Sequence, residues 1–255
     1  MKSQYKDLFK SLIESYYKGN FEDKIKFILS KNKISKQELC KIISSLCGTN
    51  INYSPDFIED LKKSIISYKP DGKIVNKVKH CSMECADKDG KTLCQKSCPF
   101  DAILVDTNKN TTYIDKDKCI DCGFCVEACP TGGIMDKVQF LPLANLLKSG
   151  SPVIAIVAPA IIGQFGKDVT LGKLRSAFKK LGFADMIEVA FFADMLTLKE
   201  AVEFNNYVKN EKDFMITSCC CPMWVGMLKK IYNNLIKYVS PSVSPMAAGG
   251  RVLKK

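Results

Sequence analysis

The sequence CIDCGFCVEACP, residues 119–130, holds four cysteines in the spacing C-x2-C-x2-C-x3-C, with a proline directly after the last one. Three cysteines at these short intervals can lie on one tight loop and bind three corners of a cubane of iron and sulfur. The fourth corner must then be bound by a cysteine from another part of the chain. This stretch therefore predicts a four-iron cluster.

A second group of four cysteines precedes this stretch, with the looser spacing C-x3-C-x8-C-x3-C-P and an insertion, ADKDGKTL, at residues 86–93. Both groups end in Cys-Pro, as in bacterial ferredoxins with two four-iron clusters, where the cysteine before the proline binds the other cluster. We therefore expect two crossed ligand sets: Cys81, Cys85, Cys94 and Cys129 for one cluster, and Cys98, Cys119, Cys122 and Cys125 for the other.

Two structural zinc sites are the alternative for these eight cysteines, because four-cysteine zinc sites also use C-x2-C pairs. Zinc does not require three evenly spaced cysteines followed by Cys-Pro, so the iron–sulfur interpretation is favoured. Disulfides are disfavoured because the chain opens MKSQYKDLF, without an apolar signal region. Free-thiol metal sites are typical of reducing compartments, so we expect a cytoplasmic protein of an anaerobic cell.

The net charge of +11 over 255 residues is unevenly distributed. Residues 81–129 carry a net charge of −3, whereas residues 1–80 and 130–255 each carry +7. The basic residues lack the aromatic interleaving of a nucleic-acid binder, so no nucleic-acid partner is expected. No run approaches the roughly 18 apolar residues of a membrane span, so no membrane partner is expected either. Most lysines should form a solvated face, and docking of an acidic redox partner is a second interpretation.

Residues 1–77 show apolar residues at intervals of three and four, which predicts a small helical domain. Ser35 followed by Glu38 has the pattern of a capping box that opens the third helix. Cys40 and Cys47 lie seven residues apart on the apolar face of that helix. We interpret both as buried thiols without a chemical role.

Residues 78–137 form the predicted ferredoxin-like module. The segments 102–105 and 111–114 flank Asn-Lys-Asn and predict a β-hairpin between the two cysteine groups. A module this short has little apolar core, so the bound clusters are expected to hold it together.

From Pro152 the pattern changes to alternating apolar runs and amphipathic segments. Strands are predicted at 153–157, 186–191 and 214–216, and helices at about 171–181, 195–209 and 223–235. Such alternation predicts a parallel sheet with helices on its faces. The whole chain is therefore expected to be an α+β multidomain protein, divided at 1–77, 78–137 and 138–255.

The third predicted strand is followed by TSCCCPMWVG, residues 217–226. Pro222 suits the first position of a helix, which places the three cysteines at a helix N-terminus, where the dipole stabilises a thiolate. A metal-ligating or acid–base thiol fits this position. A buried cysteine cluster without a role is the alternative interpretation.

TSCCCPMW resembles the first signature of the iron-only (di-iron) hydrogenases, Thr-Ser-Cys-Cys-Pro-x-Trp. A two-cluster ferredoxin module is a common N-terminal attachment in that family, so the resemblance covers residues 78–255. The helical N-terminal segment resembles that of a divergent, sensory-type subgroup. The resemblance implies that residues 138–255 are the first part of a hydrogenase catalytic domain.

The resemblance also implies roles for individual residues. Cys221, just before the proline, would hold the four-iron half of the hydrogen-activating cluster, and Cys220 would pass protons to its di-iron half. Counting from Thr217 instead would select Cys219 and Cys220. The remaining implied residues are the proton-relay groups Glu200, Glu203 and Ser240, and the di-iron pocket and signature residues Ala158, Pro159, Ser244 and Met246.

The family's active cluster needs three further cysteines, in Pro-Cys-x-x-Lys and Cys-x3-Cys signatures, which this sequence lacks. We therefore expect a fragment that is inactive alone. The expected function is electron transfer from a ferredoxin- or flavodoxin-type partner, through two 4Fe-4S clusters, to a site of reversible hydrogen oxidation. The alternatives are a stand-alone ferredoxin-like carrier and a hydrogen- or redox-sensing regulator with a signalling partner.

Overall fold

The computed structural model of the protein describes residues 3–31, 34–69, 72–218 and 220–254. The chain divides into two compact units, Met1–Asn145 and Leu146–Lys255. Both combine helices with small two-stranded sheets, so the expectation of a mixed helix and sheet protein is confirmed. Among the described residues, no helix is both long and apolar enough to cross a lipid bilayer.

The first unit begins with four helices, as the apolar periodicity predicts. Ser35 is the N-cap of the third helix and its hydroxyl accepts a hydrogen bond from the backbone N–H of Glu38 at 3.3 Å. In the predicted capping box, the Glu38 carboxylate would accept a hydrogen bond from the backbone N–H of Ser35. In the structure it accepts from the backbone N–H of His80 instead. The helices are α1 (Lys6–Lys18), α2 (Phe21–Lys31), α3 (Lys36–Leu46) and α4 (Phe57–Ile66), preceded by a 3₁₀ turn at Ser3–Tyr5.

These helices share an apolar core with residues from the cysteine-rich segment and the helix after it. Cys40 and Cys47 are fully buried in this core, which confirms their interpretation as buried thiols. Burial raises the pKa of Cys40 to about 11 and also raises that of Cys47. The cysteine-rich segment and the helix after it contribute the buried residues Val78, Met135 and Leu141 to this core.

The cysteine-rich segment contains two antiparallel strand pairs and two short helices. Strands β2 (Ile103–Asp106) and β3 (Thr111–Ile114) form the predicted hairpin. A second pair, β1 (Val75–Lys77) with β4 (Ile134–Asp136), was not predicted. The helices, each of one turn or slightly more, are α5 (Leu93–Lys96) and α6 (Phe124–Ala128).

The core of this segment is small, as its composition predicts. It consists of four apolar side chains together with three of the candidate ligands, so nearly half of its members are cysteines: Val75, Ile103, Val126, Ile134, Cys94, Cys125 and Cys129. Helix α7 (Phe140–Lys148) follows this segment. Its Phe140 ring packs edge-on against Phe9 of α1, with ring centroids 6.2 Å apart.

The second unit is built on a parallel pair of strands, β5 (Ile154–Val157) and β6 (Asp185–Glu188), with α8 (Leu171–Lys180) as the crossover helix. Leu174 and Phe178 of α8 pack against apolar residues of the two strands. The further elements are α9 (Val189–Tyr207), α10 (Pro222–Lys230), α11 (Pro245–Leu253) and 3₁₀ turns at Pro159–Ile161 and Asn233–Tyr238.

Of the predicted elements of this unit, one is wrong and two are wrong in part. The run 186–191 becomes helical at Val189, because an apolar run of this length suits a buried helix as well as a strand. The predicted strand at 214–216 is wrong: Ile216 makes an isolated parallel bridge with Val239, so its pairing lasts one residue. The last predicted helix ends at Lys230 instead of about residue 235.

Helix α9 presents large apolar side chains on several faces. Phe191, Leu198 and Tyr207 are 61%, 74% and 62% exposed. Phe192 is buried, and its ring lies so close to Gly249 of α11 that a Cβ there would be 2.7 Å from it. Glycine at this position therefore allows α9 and α11 to pack closely.

Candidate metal-cluster and relay sites

The eight cysteines of the ferredoxin-like segment line two separate cavities, four in each. The first cavity, of about 260 Å³, is lined by Cys81, Cys85, Cys94 and Cys129. The second, a much smaller void of about 10 Å³, is lined by Cys98, Cys119, Cys122 and Cys125. The two groups coincide with the crossed sets expected from the Cys-Pro rule. We refer to them as the first site and the second site.

The crossing follows from the two short helices, which pack against each other. Each helix carries one cysteine of one site, and a cysteine four residues later belongs to the other site. Cys94 lies in α5 and Cys98 follows it, whereas Cys125 lies in α6 and Cys129 is its C-cap. The tight loop before α6 is made possible by Gly123, whose φ of 84° lies in the left-handed region.

Polar groups surround the sulfur atoms of the first site. The ammonium group of Lys77, at the end of β1, donates to Cys81 Sγ at 3.4 Å. Threonine hydroxyls approach three of the four sulfurs: Thr112 Oγ1 lies 3.8 Å from Cys81 Sγ, Thr92 Oγ1 lies 3.2 Å from Cys94 Sγ, and Thr131 Oγ1 lies 3.5 Å from Cys129 Sγ.

These contacts favour thiolates at two positions of the first site. Burial alone would raise the pKa of Cys81, but hydrogen bonds from the Met83 backbone and the Thr112 hydroxyl, with the Lys77 charge, lower it to about 7. Burial also opposes ionisation of Cys129, and hydrogen bonds from its own turn outweigh it and lower the pKa. At Cys94 burial dominates and raises the pKa.

The second site is less polar. Its walls are mostly apolar: Val75, Phe100, Ala102, Ile103, Ile114 and Ile120. Burial, followed by the neighbouring thiols, raises the pKa of Cys125 to about 12. Backbone N–H groups donate to two sulfurs, from Ala102 to Cys98 at 3.3 Å and from Asp121 to Cys119 at 3.4 Å.

Four cysteine thiols in each cavity are the donor set that a four-iron cluster requires. These thiols therefore fit the chemistry of iron–sulfur clusters at both sites. In the ranges 3–31, 34–69, 72–218 and 220–254, no group of three or more His, Cys, Asp and Glu side chains is arranged to hold a single metal ion.

A separate polar group in the second unit joins α9 to the segment after the 3₁₀ turn at Asn233–Tyr238. The hydroxyl of buried Ser240 donates to Glu203 Oε2 at 3.1 Å, and that of Ser242 donates to the same oxygen at 3.3 Å. Lys199 Nζ lies 3.2 Å from Glu203 Oε1. Two of the three predicted relay residues, Glu203 and Ser240, are thus in direct hydrogen-bond contact. Glu200 lies one turn earlier on α9 and is half-buried.

The backbone of Ser240 is also hydrogen-bonded to the segment that precedes the three cysteines. Ser240 N–H donates to the carbonyl of Ile216 at 2.8 Å. Cys221 is the N-cap of α10, which begins at Pro222 as predicted, and Cys220 is exposed. Cys219, which is selected when the signature is counted from Thr217, lies outside the described residues.

The remaining predicted residues lie at element ends. Ala158 and Pro159 directly follow β5, at the carboxyl end of the parallel sheet, and both are exposed. Ser244 is the N-cap of α11, where its hydroxyl accepts from Ala247 N–H, and Met246 in the first turn is 68% exposed.

Comparison with known proteins gives two family matches. Residues 151–255 match the iron-only hydrogenase large subunit, C-terminal domain. Residues 112–135, which include the second cysteine group, match the 4Fe-4S binding domain. The chain is therefore related to the iron-only hydrogenases and contains a 4Fe-4S binding segment.

Three hydrogenases are among the relatives of this iron–sulfur protein. Iron hydrogenase 1 of Clostridium pasteurianum is 26% identical over 59% of the chain and 35% of the relative. The NADP-reducing hydrogenase subunit HndD of Solidesulfovibrio fructosivorans is 28% identical, covering 53% and 26%. The periplasmic [Fe] hydrogenase large subunit of Nitratidesulfovibrio vulgaris is 29% identical, covering 55% and 44%. The chain therefore spans less than half the length of each of these curated relatives.

Several residues that contact the sites of this protein were not found from the sequence. Lys77 and Thr112 reach Cys81 from β1 and β3, which only the tertiary fold brings together. Thr131 had a local signal, because it follows Cys129-Pro130 at a turn. Ser242 also had a local sequence signal, since it lies two residues after Ser240, the predicted relay serine.

Proposed function

We propose that the chain holds two four-iron clusters and passes electrons between a redox partner and a hydrogen-activating site. Cys81, Cys85, Cys94 and Cys129 would bind one cluster, and Cys98, Cys119, Cys122 and Cys125 the other. The observation that carries this proposal is the division of the eight cysteines between two cavities, four in each. When bound, each cluster supplies a one-electron redox centre.

The protein groups bind and orient the clusters. The four thiols of each site provide one ligand for each cubane corner, and the threonine hydroxyls of the first site can donate hydrogen bonds to sulfur. The walls of the second site are mostly apolar and would limit the access of water to its cluster. The cysteines in the described ranges are free thiols, which suits cluster binding in a reducing, cytoplasmic compartment.

Reconstitution of the full chain with iron and sulfide tests this function. We expect about eight iron atoms per chain, from two four-iron clusters. A product with about two zinc ions and no iron would favour the zinc alternative and overturn the proposal.

The crossed assignment is tested by single cysteine substitutions in the same assay. Cys98→Ser should impair the same cluster as Cys122→Ser, and Cys94→Ser the same cluster as Cys85→Ser. The two clusters can be distinguished by their separate reduced EPR signals. If Cys98→Ser instead impairs the same cluster as Cys94→Ser, each group of four cysteines binds its own cluster and the crossed assignment fails.

We further propose that the second unit contributes to the hydrogen-activating site. Cys221 would ligate its four-iron half, Cys220 would transfer protons, and Glu203 and Ser240 would relay them together with Glu200. The hydrogen bond of 3.1 Å between Ser240 and Glu203 supports this role, because a hydroxyl and a carboxylate in contact can pass a proton between them. Ala158, Pro159, Ser244 and Met246 would line the di-iron pocket.

Hydrogen evolution from a low-potential donor, after maturation with the family's three further cluster cysteines supplied, tests this second role. Glu203→Gln should lower turnover while leaving the iron content of the two ferredoxin-type sites unchanged. Unchanged turnover in Glu203→Gln would remove Glu203 from the relay. A redox partner of the ferredoxin or flavodoxin type would supply the electrons. The alternative sensing role would require a signalling partner that binds the oxidised and the reduced protein differently.

A further inference from the structure

Lys77 is held inside the first site by a set of hydroxyl groups. It is the last residue of β1 and pairs with Ile134 of β4. Its ammonium group donates to Thr111 Oγ1 at 2.8 Å and to Thr112 Oγ1 at 2.9 Å, as well as to Cys81 Sγ at 3.4 Å. The positive charge is therefore fixed against a ligand sulfur instead of extending into solvent.

The corresponding charges at the second site are arranged differently. The carboxylate of Asp121 lies 3.9 Å from Cys119 Sγ, and two of the sulfurs here accept hydrogen bonds from neutral backbone N–H groups instead of a cation. Lys73 contacts two oxygen atoms there, the carboxylate of Asp121 at 4.0 Å and the carbonyl of Cys119 at 2.5 Å. The cavity walls at this site are mostly apolar.

Reduction adds one electron to a cluster and no proton, so it increases the negative charge of the site. A fixed cation and hydrogen bonds to sulfur stabilise that extra charge and raise the reduction potential. A nearby carboxylate and apolar surroundings have the opposite effect, because both disfavour added negative charge.

We infer that Lys77 is a positioning residue that raises the reduction potential of the cluster at the first site above that of the cluster at the second. This inference rests on the proposed binding of two clusters. Because the potentials differ, a single electron delivered by the redox partner would reside at equilibrium on the first site. The second site would then be the one that passes its electron on more readily.

Potentiometric titration of the reconstituted full chain, followed by EPR of the reduced clusters, tests the inference. Lys77→Gln keeps a hydrogen-bonding side chain but removes the charge. We expect the higher of the two midpoint potentials to fall by about 59 mV or more, which is about a tenfold change in the ratio of reduced to oxidised cluster for one electron. The lower midpoint potential should not move.

Two control variants separate the local charge from the net charge. Lys88→Gln removes the same charge from an exposed position in the insertion between Cys85 and Cys94, and should leave both midpoints unchanged. Lys77→Arg keeps the charge and should retain most of the difference between the two midpoints.

Iron analysis keeps this inference distinct from the proposed function. If the unsubstituted chain does not bind about eight iron atoms, the two-cluster function fails. If Lys77→Gln binds them and its higher midpoint is unchanged, or its lower midpoint falls instead, the inference about Lys77 is overturned. Should Lys77→Gln fail to load, Thr112→Val provides the test, since it removes a buried hydroxyl that contacts both Lys77 and Cys81. A loaded Thr112→Val chain with an unshifted higher midpoint would also overturn the inference.

Discussion

Tyr5→Phe should loosen the turn that follows Cys129, although the two residues are far apart in the sequence. The hydroxyl of Tyr5 donates to the carbonyl oxygen of Gly132 at 2.7 Å, and Tyr5 is only 5% exposed. Beside it, Gln4 Nε2 donates to the carbonyl of Thr131 at 2.9 Å. The N-terminal turn therefore holds the backbone directly after the last ligand of the first site.

The expected magnitude follows from the burial of this bond. Replacing Tyr5 by Phe removes one hydrogen bond, worth about 1 kcal/mol net, and leaves the Gly132 carbonyl short of a partner, which costs about 1–3 kcal/mol. The lost hydrogen bond and the unpaired carbonyl describe the same loss, so their costs are not added. We expect the free energy of local opening to fall by about 1–2 kcal/mol in total. This corresponds to about a 5- to 30-fold change in a local equilibrium.

Native-state amide hydrogen exchange measures this local opening in the reconstituted chain. We expect residues 131–135 to exchange about 5 to 30 times faster in Tyr5→Phe. The matched control is Tyr53→Phe, which removes the same atom from a side chain that is 43% exposed. If exchange in residues 131–135 is unchanged, or rises equally in the control, the Tyr5 hydroxyl does not hold this turn.

Two predictions concern the second unit. Burial alone would raise the pKa of Glu203, but contacts with Lys199 and the hydroxyls of Ser240 and Ser242 lower it. Its stabilising effect is thus complete above the ordinary glutamate pKa of about 4.3 and is lost as pH falls through the lowered value. Ser240→Ala should raise the Glu203 pKa in a carboxyl NMR titration, and an unmoved value would contradict the contact. Gly249→Ala should cost about 1–3 kcal/mol of stability by overpacking, measured as a lower melting temperature. Gly250→Ala, where a Cβ meets open space, should not lower it.

The local features of the first unit could be predicted because their signals lie close together in the sequence. The β2–β3 hairpin, the Ser35 N-cap and the buried Cys40 and Cys47 each depend on residues within a few positions of one another. The grouping of the cysteines could also be predicted, since the Cys-Pro spacing carries the crossing rule.

Features that depend on distant pairing could not be predicted. Strand β1 is three residues long and mostly polar, and its partner β4 begins almost sixty residues later, so neither shows a strand pattern alone. The run after residue 186 was ambiguous because a short apolar stretch does not distinguish a strand from a buried helix. The contacts of Lys77 depend on β1 and β3 meeting in space, which no spacing rule describes.

The helices α5 and α6 each serve both sites, which has a consequence for assembly. Filling the first site would fix Cys94 and Cys129, and thereby set the helix turns that present Cys98 and Cys125 to the second. Loading should therefore be cooperative: when iron and sulfide are limiting, fully loaded and empty chains should outnumber chains with one cluster. The ordering of the two short helices would couple the two sites, so that the whole segment orders in one step.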